Sequence, residues 1–558
     1  MKTRWYKDAV VYQIYPRSFC DSNGDGIGDL RGIISKLDYI KGLGVDAVWL
    51  SPIYKSPNDD NGYDISDYRD IMDEFGTMSD FKELFDGLHS RGIKLIMDLV
   101  ANHTSDEHYW FSESRKSVDN PYRDYYIWRK GRGKDGRKPP NNWTSSFGGS
   151  AWKYDETTKE WYLHLFSRKQ PDLNWENPKV RKEIADICNF WMDMGVDGFR
   201  CDVITYISKK SGLPDGKFNL IFCGEEQYVV GPRYHEYIKE LNAESWSKYD
   251  SFTVGEAAGI TLSNAYDCID ESVAELDTVF SFEHLCVDMY FMVIPHRFSL
   301  TKFKKVLDSW QALPNTCQNT LFLENHDQPR SLGRFTGNYS GHRYEAATAL
   351  AVAMQLQRGT PFVYQGQEIG MTNCRFTDDE YQDIMFRQIM NIVKYIPFGK
   401  SIARYCFSRR ARDHARTPMQ WNARENAGFS SAKPWMKVNP NYKFINVDKD
   451  LAEEKSIYKF YAKLHAYRKG NEAIIDGDYK DICPNNRNIF AYERKCGGKR
   501  LLVIVNFKNK AVKFNLPEEY ANSKAELELS NYRGGGIFMP NMRLRPYEAA
   551  VYSLKSQG

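Results

Sequence analysis

Several classes of protein are excluded by what this 558-residue sequence lacks. No apolar run approaches the roughly 20 residues of a membrane span, so we expect no membrane partner. The net charge of +3 comes without long blocks of like charge, which argues against nucleic acid as the main partner. The N-terminal residues, Met1 to Tyr6, run straight into charged and aromatic side chains, without the apolar core of a signal peptide.

The cysteines also lack a pattern. There are 11 of them, an odd number, and none forms a Cys-x-x-Cys pair. Disulfide frameworks and zinc sites both depend on regular cysteine spacing. We therefore predict a reduced, cytoplasmic protein without structural zinc and without an organic cofactor. A monomer is the simplest expectation, with a homo-oligomer as the alternative.

Eight short apolar runs, each followed by a helical pattern, dominate the first 471 residues. Such units predict a parallel (β/α)8 barrel, a TIM barrel, whose active site would lie on the loops after the strands. The runs are Ala9 to Tyr15, Ala47 to Leu50, Lys94 to Val100, Gly198 to Asp202, Phe252 to Val254, Thr278 to Phe280, Thr320 to Leu323 and Pro361 to Tyr364.

Two interruptions and a change of pattern divide the chain. A stretch rich in Trp, Tyr, Gly, Asn and Ser follows the third strand and predicts an inserted lobe at 104–176, between barrel parts 1–103 and 177–471. A second excursion, near 372–434, contains an apolar helical segment from Ile384 to Ile396 to which we assign no role. Short strands separated by turn signals predict an antiparallel β-sandwich at 472–558.

The fourth strand carries the first chemical signal. Arg200 and Asp202 alternate with apolar residues, so both side chains leave the strand on the same face. A neighbouring cation lowers the pKa of a carboxyl, and an ionised Asp can act as a nucleophile. A structural Arg–Asp ion pair is the alternative interpretation.

Other strands end in residues of the same kind. Glu256 follows the fifth strand and Asp327 follows the seventh, with His103 and His326 nearby. Several carboxylates at one barrel mouth raise at least one pKa, which yields the acid and nucleophile of glycoside cleavage. A metal-dependent hydrolase is the competing hypothesis, but it would need paired histidine ligands, and these two come from different loops.

The segment from Asp21 to Asp29 predicts a metal site. Asp21, Asn23, Asp25 and Asp29 place oxygen side chains at every second position, and the glycines between them allow a tight wrap. Hard oxygen ligands suit Ca²⁺, with Mg²⁺ as the alternative, although the loop lacks the final Glu of an EF-hand. The other interpretation is a polar turn without a metal.

Four stretches in this order resemble the α-amylase superfamily, glycoside hydrolase family thirteen. They are Asp98 to His103, Gly198 to Asp202, Val254 to Glu256 and Asn325-His326-Asp327. Gln170 to Asn174 and Ala415 to Trp421 are similar to stretches of the oligo-1,6-glucosidase (isomaltase-type) branch. The resemblance covers nearly the whole chain.

The resemblance implies a role for each matching residue. Asp202 would be the nucleophile, Glu256 the general acid/base and Asp327 the residue that holds the sugar hydroxyls. Arg412 should pair with Asp60 and close the subsite to one sugar unit, which leaves Arg416 as the less favoured choice. The family's calcium loop would use Asp21, Asn23, Asp25, Ile27 through its carbonyl, and Asp29. The full set of subsite and pocket residues would be Asp60, Tyr63, His103, Phe147, Phe166, Gln170, Arg200, Val203, His326 and Arg412.

The resemblance also implies a reaction. We expect a retaining, exo-acting α-glucosidase that cleaves α-1,6 bonds of short isomalto-oligosaccharides, because Val203 after the nucleophile accompanies α-1,6 cleavage in the family. Sucrose-active enzymes are the alternative, as hydrolases, isomerases or glucosyl transferases, but the Arg-Leu-Asp-Arg-Asp motif of sucrose isomerases is absent at Arg330 to Phe335. A non-catalytic, transporter-associated subunit is disfavoured because all three carboxylates are present.

Overall fold

The barrel is present with all eight expected strands. The computed structural model describes residues 3–219, 222–290, 294–337, 339–521 and 523–555. Its barrel strands are β1 (Val11–Ile14), β2 (Ala47–Leu50), β3 (Lys94–Val100), β4 (Gly198–Asp202), β5 (Phe252–Glu256), β6 (Thr278–Phe280), β7 (Thr320–Leu321) and β8 (Thr360–Tyr364).

These strands form one parallel sheet in the order β6-β5-β4-β3-β2-β1-β8-β7. The seam between β6 and β7 is bridged by Thr320, whose hydroxyl donates to the carbonyl of Val279 at 3.0 Å. Every residue of β2 and β4 is buried, as a barrel strand covered by helices requires. The predicted fold class is confirmed.

Helices connect consecutive strands and surround the sheet. Local signals start several of them: Thr77 and Asp80 form a capping box, and Asn177 caps a helix that opens with Pro178. The barrel helices are Leu30–Ile34, Leu37–Gly42, Met78–His89, Pro178–Asp193, Tyr234–Glu244, Leu262–Ile269, Leu300–Gln311, Ser331–Thr336, Arg343–Gln355, Val447–Ala452, Ile457–Arg468 and Glu472–Ile475. None of the helices among the described residues is long and apolar enough to cross a membrane.

The segment after β3 contains a helix, Tyr109–Ser114, and a small antiparallel sheet of Trp128–Arg129, Trp152–Tyr154 and Trp161–Leu163. Its core includes Trp143, Trp152 and Leu165, and residues that follow β4, among them Val203 and Tyr206, pack into the same cluster. The lobe therefore rests on the C-terminal end of β4, where Asp202 lies. The boundaries placed at 103, 176 and 471 stay predictions.

The segment after β8 contains three helices, Ile384–Ile392, Gly399–Arg410 and Asp413–Arg416. Phe386 of the first packs on Tyr381 and Phe407. Ile392 lies against Gly148 of the lobe, where an added Cβ would come within 2.8 Å of the Ile392 Cδ1 atom. The apolar segment without an assigned role thus packs between the second excursion and the lobe.

The C-terminal region is an antiparallel sandwich, as predicted. Its inner faces share one core, which includes Ile504, Phe514, Leu544 and Tyr552. One sheet contains β9 (Asp478–Asp481), β10 (Ile489–Cys496), β11 (Lys499–Asn506), β13 (Ala525–Ser530) and β15 (Ala549–Leu554), and the other pairs β12 (Val512–Asn515) with β14 (Asn541–Leu544). The helix Glu518–Ala521 lies between β12 and β13.

Candidate active site

One buried arginine holds three carboxylates at the mouth of the barrel. Sheet register places Arg200 of β4 beside Asp98 of β3. Its guanidinium donates to Asp98 Oδ1 at 2.5 Å and to Asp202 Oδ1 at 2.7 Å through Nη1, and to Glu256 Oε2 at 2.6 Å through Nη2. We call these four residues the Arg200 group. Asp98 and Glu256, which are 102 and 56 residues from Arg200 in the sequence, thus meet Asp202 on one side chain.

The pKa values of this group differ from the sequence-based expectation. Burial raises the pKa of Asp202 to about 7 and that of Glu256 to about 7, although Arg200 acts in the opposite direction on both. Burial also raises the pKa of Asp98 to about 6. The expectation that Arg200 holds the pKa of Asp202 below its usual range is therefore wrong, because one guanidinium is shared among three desolvated carboxyls.

Val203 continues the chain in a conformation that is rare for its type. Its φ of +35° lies in the left-handed region, which a β-branched residue adopts only under strain. In this conformation its backbone N–H donates to Glu256 Oε2 at 3.2 Å. Strain at Val203 therefore coincides with a backbone contact that links the residue after Asp202 to Glu256.

Basic side chains surround Asp327. Arg416 donates to Asp327 Oδ1 at 2.6 Å, and His326 Nε2 lies 3.2 Å from Asp327 Oδ2. Burial opposes ionisation of Asp327, but His326, Arg416 and Arg412 together hold its pKa well below the usual range. His326 itself is fixed by Gln13 at Nδ1 and by the Tyr63 hydroxyl at Nε2, both at 2.8 Å.

Arg412 connects Asp327 to Asp60, which lies in the loop after β2. Its Nη2 donates to Asp60 Oδ1 at 3.2 Å, which is the expected pair, and to Asp383 Oδ1 at 2.7 Å. Burial opposes ionisation of Asp383, but Arg412 lowers its pKa, whereas burial raises the pKa of Asp60. We call Asp60, Asp327, Asp383, Arg412 and Arg416 the arginine clamp.

The expected lobe residues reach the same place. Gln170 Nε2 donates to Asp60 Oδ2 at 3.2 Å and lies 3.1 Å from His103 Nε2. Phe166 packs between His103 and Phe147, with ring centroids 5.2 and 5.8 Å away. Phe147 in turn lies under the Arg412 guanidinium, 5.3 Å from ring centroid to Cζ. Aromatic faces and polar groups of the lobe therefore meet the barrel residues Asp60 and His103 and the Arg412 side chain.

The loop from Asp21 to Asp29 wraps tightly but turns its oxygens toward its own backbone. Asp21 accepts from Gly24 and Gly26 N–H groups at 2.7 and 2.8 Å, and Asp25 accepts from Ile27. Asp29 caps the helix Leu30–Ile34 through Gly32. Among the described residues, three ligand atoms lie within 4.8 Å of one another only at His235, Cys268 and Glu275, a set whose thiol and imidazole do not suit Ca²⁺.

Three contacts at this site were not predicted. Asp98 accepts from Trp49 Nε1 at 2.8 Å as well as from Arg200, Asp383 holds Arg412, and Arg416 holds Asp327. The sequence alone showed that Asp98 lies near the end of the strand that finishes at Val100. Asp383 stands directly before the apolar helix and is its N-cap. No sequence signal connected either residue to an arginine far along the chain.

Glu324 follows β7 but points away from the pocket. Its Oε2 accepts from the Ser331 N–H at 2.5 Å, and burial raises its pKa to about 7. Arg334, in the stretch where the isomerase motif would stand, donates instead to Asp288 and to Gln328.

The arrangement supplies a proton donor and a potential nucleophile beside one pocket. Asp202 and Glu256 are both largely buried and share a cation, so loss of a proton from one favours its retention by the other. Such coupling is what acid-assisted displacement at a sugar carbon requires.

Comparison with known proteins gives matches over almost the whole chain. The family model described as Alpha amylase, catalytic domain, matches residues 13–477. The model described as Alpha-amylase SusG C-terminal domain matches residues 489–551. The first covers the barrel with its excursions, and the second covers most of the sandwich.

Individual proteins match at full length. An oligo-1,6-glucosidase of Parageobacillus thermoglucosidasius is 52% identical, with 100% of both chains covered. The crystal structure of a trehalose-6-phosphate hydrolase of Bacillus licheniformis is 44% identical with a TM-score of 0.93, covering 99% of this chain and 100% of that one. The trehalulose synthase of Pseudomonas mesoacidophila is 42% identical with a TM-score of 0.93 and the same coverage.

Proposed function

Because this chain belongs to the α-amylase family of glycoside hydrolases, we propose that it is a retaining, exo-acting α-glucosidase. Its substrates are short isomalto-oligosaccharides, cleaved at the α-1,6 bond of the non-reducing end. One observation carries the proposal: Arg200 binds both Asp202 and Glu256, and Arg412 pairs with both Asp60 and Asp327.

In the first step, the Asp202 carboxylate attacks the anomeric carbon while the Glu256 carboxyl protonates the departing glycosidic oxygen. This step forms a glucosyl ester on Asp202 and breaks the glycosidic bond. Water, deprotonated by Glu256, then attacks the anomeric carbon, breaks its bond to Asp202 and releases glucose with its original anomeric configuration. The raised pKa of Glu256 suits the donor role, since a carboxyl with a pKa of about 7 keeps its proton near neutral pH.

The clamp accounts for exo specificity. Asp327, held ionised by Arg416, would accept hydrogen bonds from the hydroxyl groups of the terminal glucose. In this proposal the Arg412–Asp60 pair closes the subsite to one sugar unit, with the Arg412 guanidinium over the Phe147 ring. Tyr63 and His326, stacked with ring centroids 5.3 Å apart, provide an adjoining wall.

Val203 is the basis for the α-1,6 assignment, together with the oligo-1,6-glucosidases that the chain resembles at about half of its positions. Its side chain packs in the cluster that joins the lobe to β4, beside the pocket. A branched apolar group here would narrow the path of the leaving sugar, which favours one linkage over another without making it exclusive.

A substrate panel tests the proposal. Purified protein is incubated with isomaltose, panose, maltose, sucrose and trehalose, and the products are identified. We expect glucose from isomaltose and panose at the highest kcat/KM, with the α-anomer released first. Release of the β-anomer, or turnover of maltose above isomaltose, would contradict the proposal.

Sucrose is the second candidate substrate, because the trehalulose synthase has the same fold at 42% identity. Sucrose presents the same terminal glucose to Asp202. In this chain Arg334 is engaged by Asp288 and Gln328 rather than presented in an isomerase motif. We therefore expect hydrolysis of sucrose rather than isomerisation, so that free fructose and glucose are the products.

Calcium in the Asp21 to Asp29 loop is part of the proposal and is supported by the spacing of its oxygens alone. If the ion binds, its removal by a chelator should lower the midpoint of thermal unfolding, because a ligand that binds only the native state stabilises it. Restoration by Ca²⁺ but not by Mg²⁺ would identify the ion. An unchanged midpoint would leave the polar turn as the correct interpretation.

A reduced, cytoplasmic location is likewise proposed. All eleven cysteines are free thiols, and eight of them are buried. Buried unpaired thiols are usual in proteins that fold under reducing conditions.

A further inference from the structure

A second cavity lies at the junction of the barrel and the C-terminal sandwich. Its volume is about 640 Å³, and none of the residues assigned to the substrate pocket lines it. Its walls come from the loop before helix Leu300–Gln311, from helices Ser331–Thr336 and Gly399–Arg410, and from the residues that follow β11. Pockets of this size usually hold small-molecule ligands.

The charge of the lining is strongly one-sided. Five cationic side chains face one carboxylate, Asp288. The cations are Arg297, Arg334, Arg409, Arg410 and Lys508. Such a concentration of like charge attracts an anion into a partly enclosed space, where water screens it poorly.

Asp288 is fully used by the two innermost arginines. Both Arg334 and Arg410 form ion pairs with it. Arg410 nevertheless keeps two buried nitrogens, Nε and Nη1, without a hydrogen-bond partner. A buried guanidinium with unmade hydrogen bonds is costly, and an anion in the adjoining cavity would offset part of its positive charge.

The outer cations have no carboxylate of their own. Within the described ranges, Arg297, Arg409 and Lys508 form no ion pair, and Arg409 stacks on Tyr405 instead. Burial lowers the pKa of Lys508, and Arg297 adds to the effect. The mutual repulsion of Arg297 and Lys508 is relieved when an anion lies between them.

Aromatic rings complete the lining. Phe298, Phe335, Phe507, Tyr405 and Tyr547 border the same cavity. Apolar ring faces beside arginines match a ligand with a sugar body and a doubly charged head. We propose that this cavity binds a phosphate monoester carried on a sugar, with the outer cations Arg297, Arg409 and Lys508 at the phosphate and the aromatic rings at the sugar.

The site adjoins the arginine clamp on two sides. Gln328, which accepts from Arg334 at 2.9 Å, directly follows Asp327, and Arg410 stands two residues before Arg412. A ligand in this cavity therefore lies beside the residues assigned to the substrate without contacting them.

Isothermal titration calorimetry of the full chain, at fixed ionic strength, tests the proposal. The probes are inorganic phosphate, glucose 6-phosphate, glucose and chloride. We expect both phosphates to bind, glucose 6-phosphate at least about tenfold more tightly, and chloride not to compete at equal concentration. Equal affinity of the two phosphates would overturn the sugar part of the proposal, and absence of binding at millimolar phosphate would overturn all of it.

Variants locate the binding. Arg297→Gln and Lys508→Gln should each weaken glucose 6-phosphate binding about tenfold, since each removes one charge from the cavity. Lys499→Gln, at an exposed position of β11, is the matched control and should bind as wild type does. Unchanged affinity in both cavity variants, with glucose competing for the phosphate, would place the ligand in the catalytic pocket and refute the proposal. Circular dichroism and turnover of isomaltose report whether each variant is folded.

Discussion

The Arg200 group and the arginine clamp are neighbours, linked through Tyr63 and His326, but they are charged differently. In the Arg200 group, one guanidinium serves three carboxyls, and burial raises the pKa of all three. In the clamp, two guanidiniums serve three carboxyls, and the pKa values of Asp327 and Asp383 are lowered, whereas burial raises that of Asp60. The balance between burial and the cations within reach of each carboxyl decides the direction of its pKa shift, and that balance separates Asp202 and Glu256 from Asp327 and Asp383.

The largest expected effect comes from removing the nucleophile of the Arg200 group. Asp202→Asn keeps the side-chain volume but cannot form the glucosyl ester, so turnover of isomaltose should fall by at least about 10³-fold. Substrate should still bind, because the clamp is intact; equilibrium binding measures this. Asp119→Asn, exposed in the lobe, is the control. A variant that keeps a tenth of the wild-type rate would rule out the assignment.

Breaking the clamp should affect folding as well as activity. Asp383→Asn leaves Arg412 without its shortest carboxylate contact in a buried setting, which should cost about 2–4 kcal/mol of unfolding free energy. Chemical denaturation measures the change. The exposed neighbour Asp379 provides the control variant Asp379→Asn, which should leave stability unchanged. Equal stability of the two variants would mean that Arg412 does not depend on Asp383.

In the Arg200 group, by contrast, a carboxyl-to-amide change should raise the free energy of unfolding rather than lower it. The native state raises the pKa of Glu256 from its ordinary 4.5 to about 7, so it holds a proton that the unfolded chain releases in this interval. Stability from this group is therefore present below about pH 4.5 and is lost as pH rises through 7. Glu256→Gln removes that loss and should stabilise the protein by about 1–3 kcal/mol at pH 8.

Denaturation at pH 8 and at pH 5 checks this sign. The gain should shrink at the lower pH, where Glu256 is protonated in the native protein. Glu528→Gln, at an exposed position of β13, should show no dependence of this kind. A destabilised Glu256→Gln variant at pH 8 would show that the charged form of Glu256 is the one the fold favours.

The smallest expected effect concerns linkage preference. Val203→Thr keeps the shape of the side chain and replaces one methyl group with a hydroxyl, so the ratio of isomaltose to maltose kcat/KM should fall by about tenfold or less. Val118→Thr, exposed in the lobe, should leave the ratio unchanged. An unchanged ratio in Val203→Thr would remove the basis for the α-1,6 assignment.

Local patterns were enough to predict the barrel, because each strand is a short buried run between turn signals. They also placed Asp202, Glu256 and Asp327 at strand ends, where parallel register brings side chains together. The Asp60–Arg412 pair came from resemblance alone, since 352 residues separate its members. Asp383 and the Arg416–Asp327 contact were missed for the same reason: loop-to-loop contacts leave no periodic signal.

The error on Asp202 has a physical origin. The sequence suggested one arginine, Arg200, beside one carboxyl, Asp202, and such a neighbour lowers the pKa of the carboxyl. In the fold, Asp98 and Glu256 compete for the same guanidinium, and all are desolvated. Burial and the number of competing partners are properties of the assembled pocket, so a two-residue spacing could not reveal them.

The left-handed backbone at Val203 has a consequence for protein engineering. A mutant library at this position varies the wall of the pocket and the conformational strain of the chain together. Glycine would relax the backbone while widening the exit, and proline would delete the N–H that reaches Glu256. Selectivity and rate should therefore change jointly among such mutants, and a screen that records only one of them would misattribute the gain.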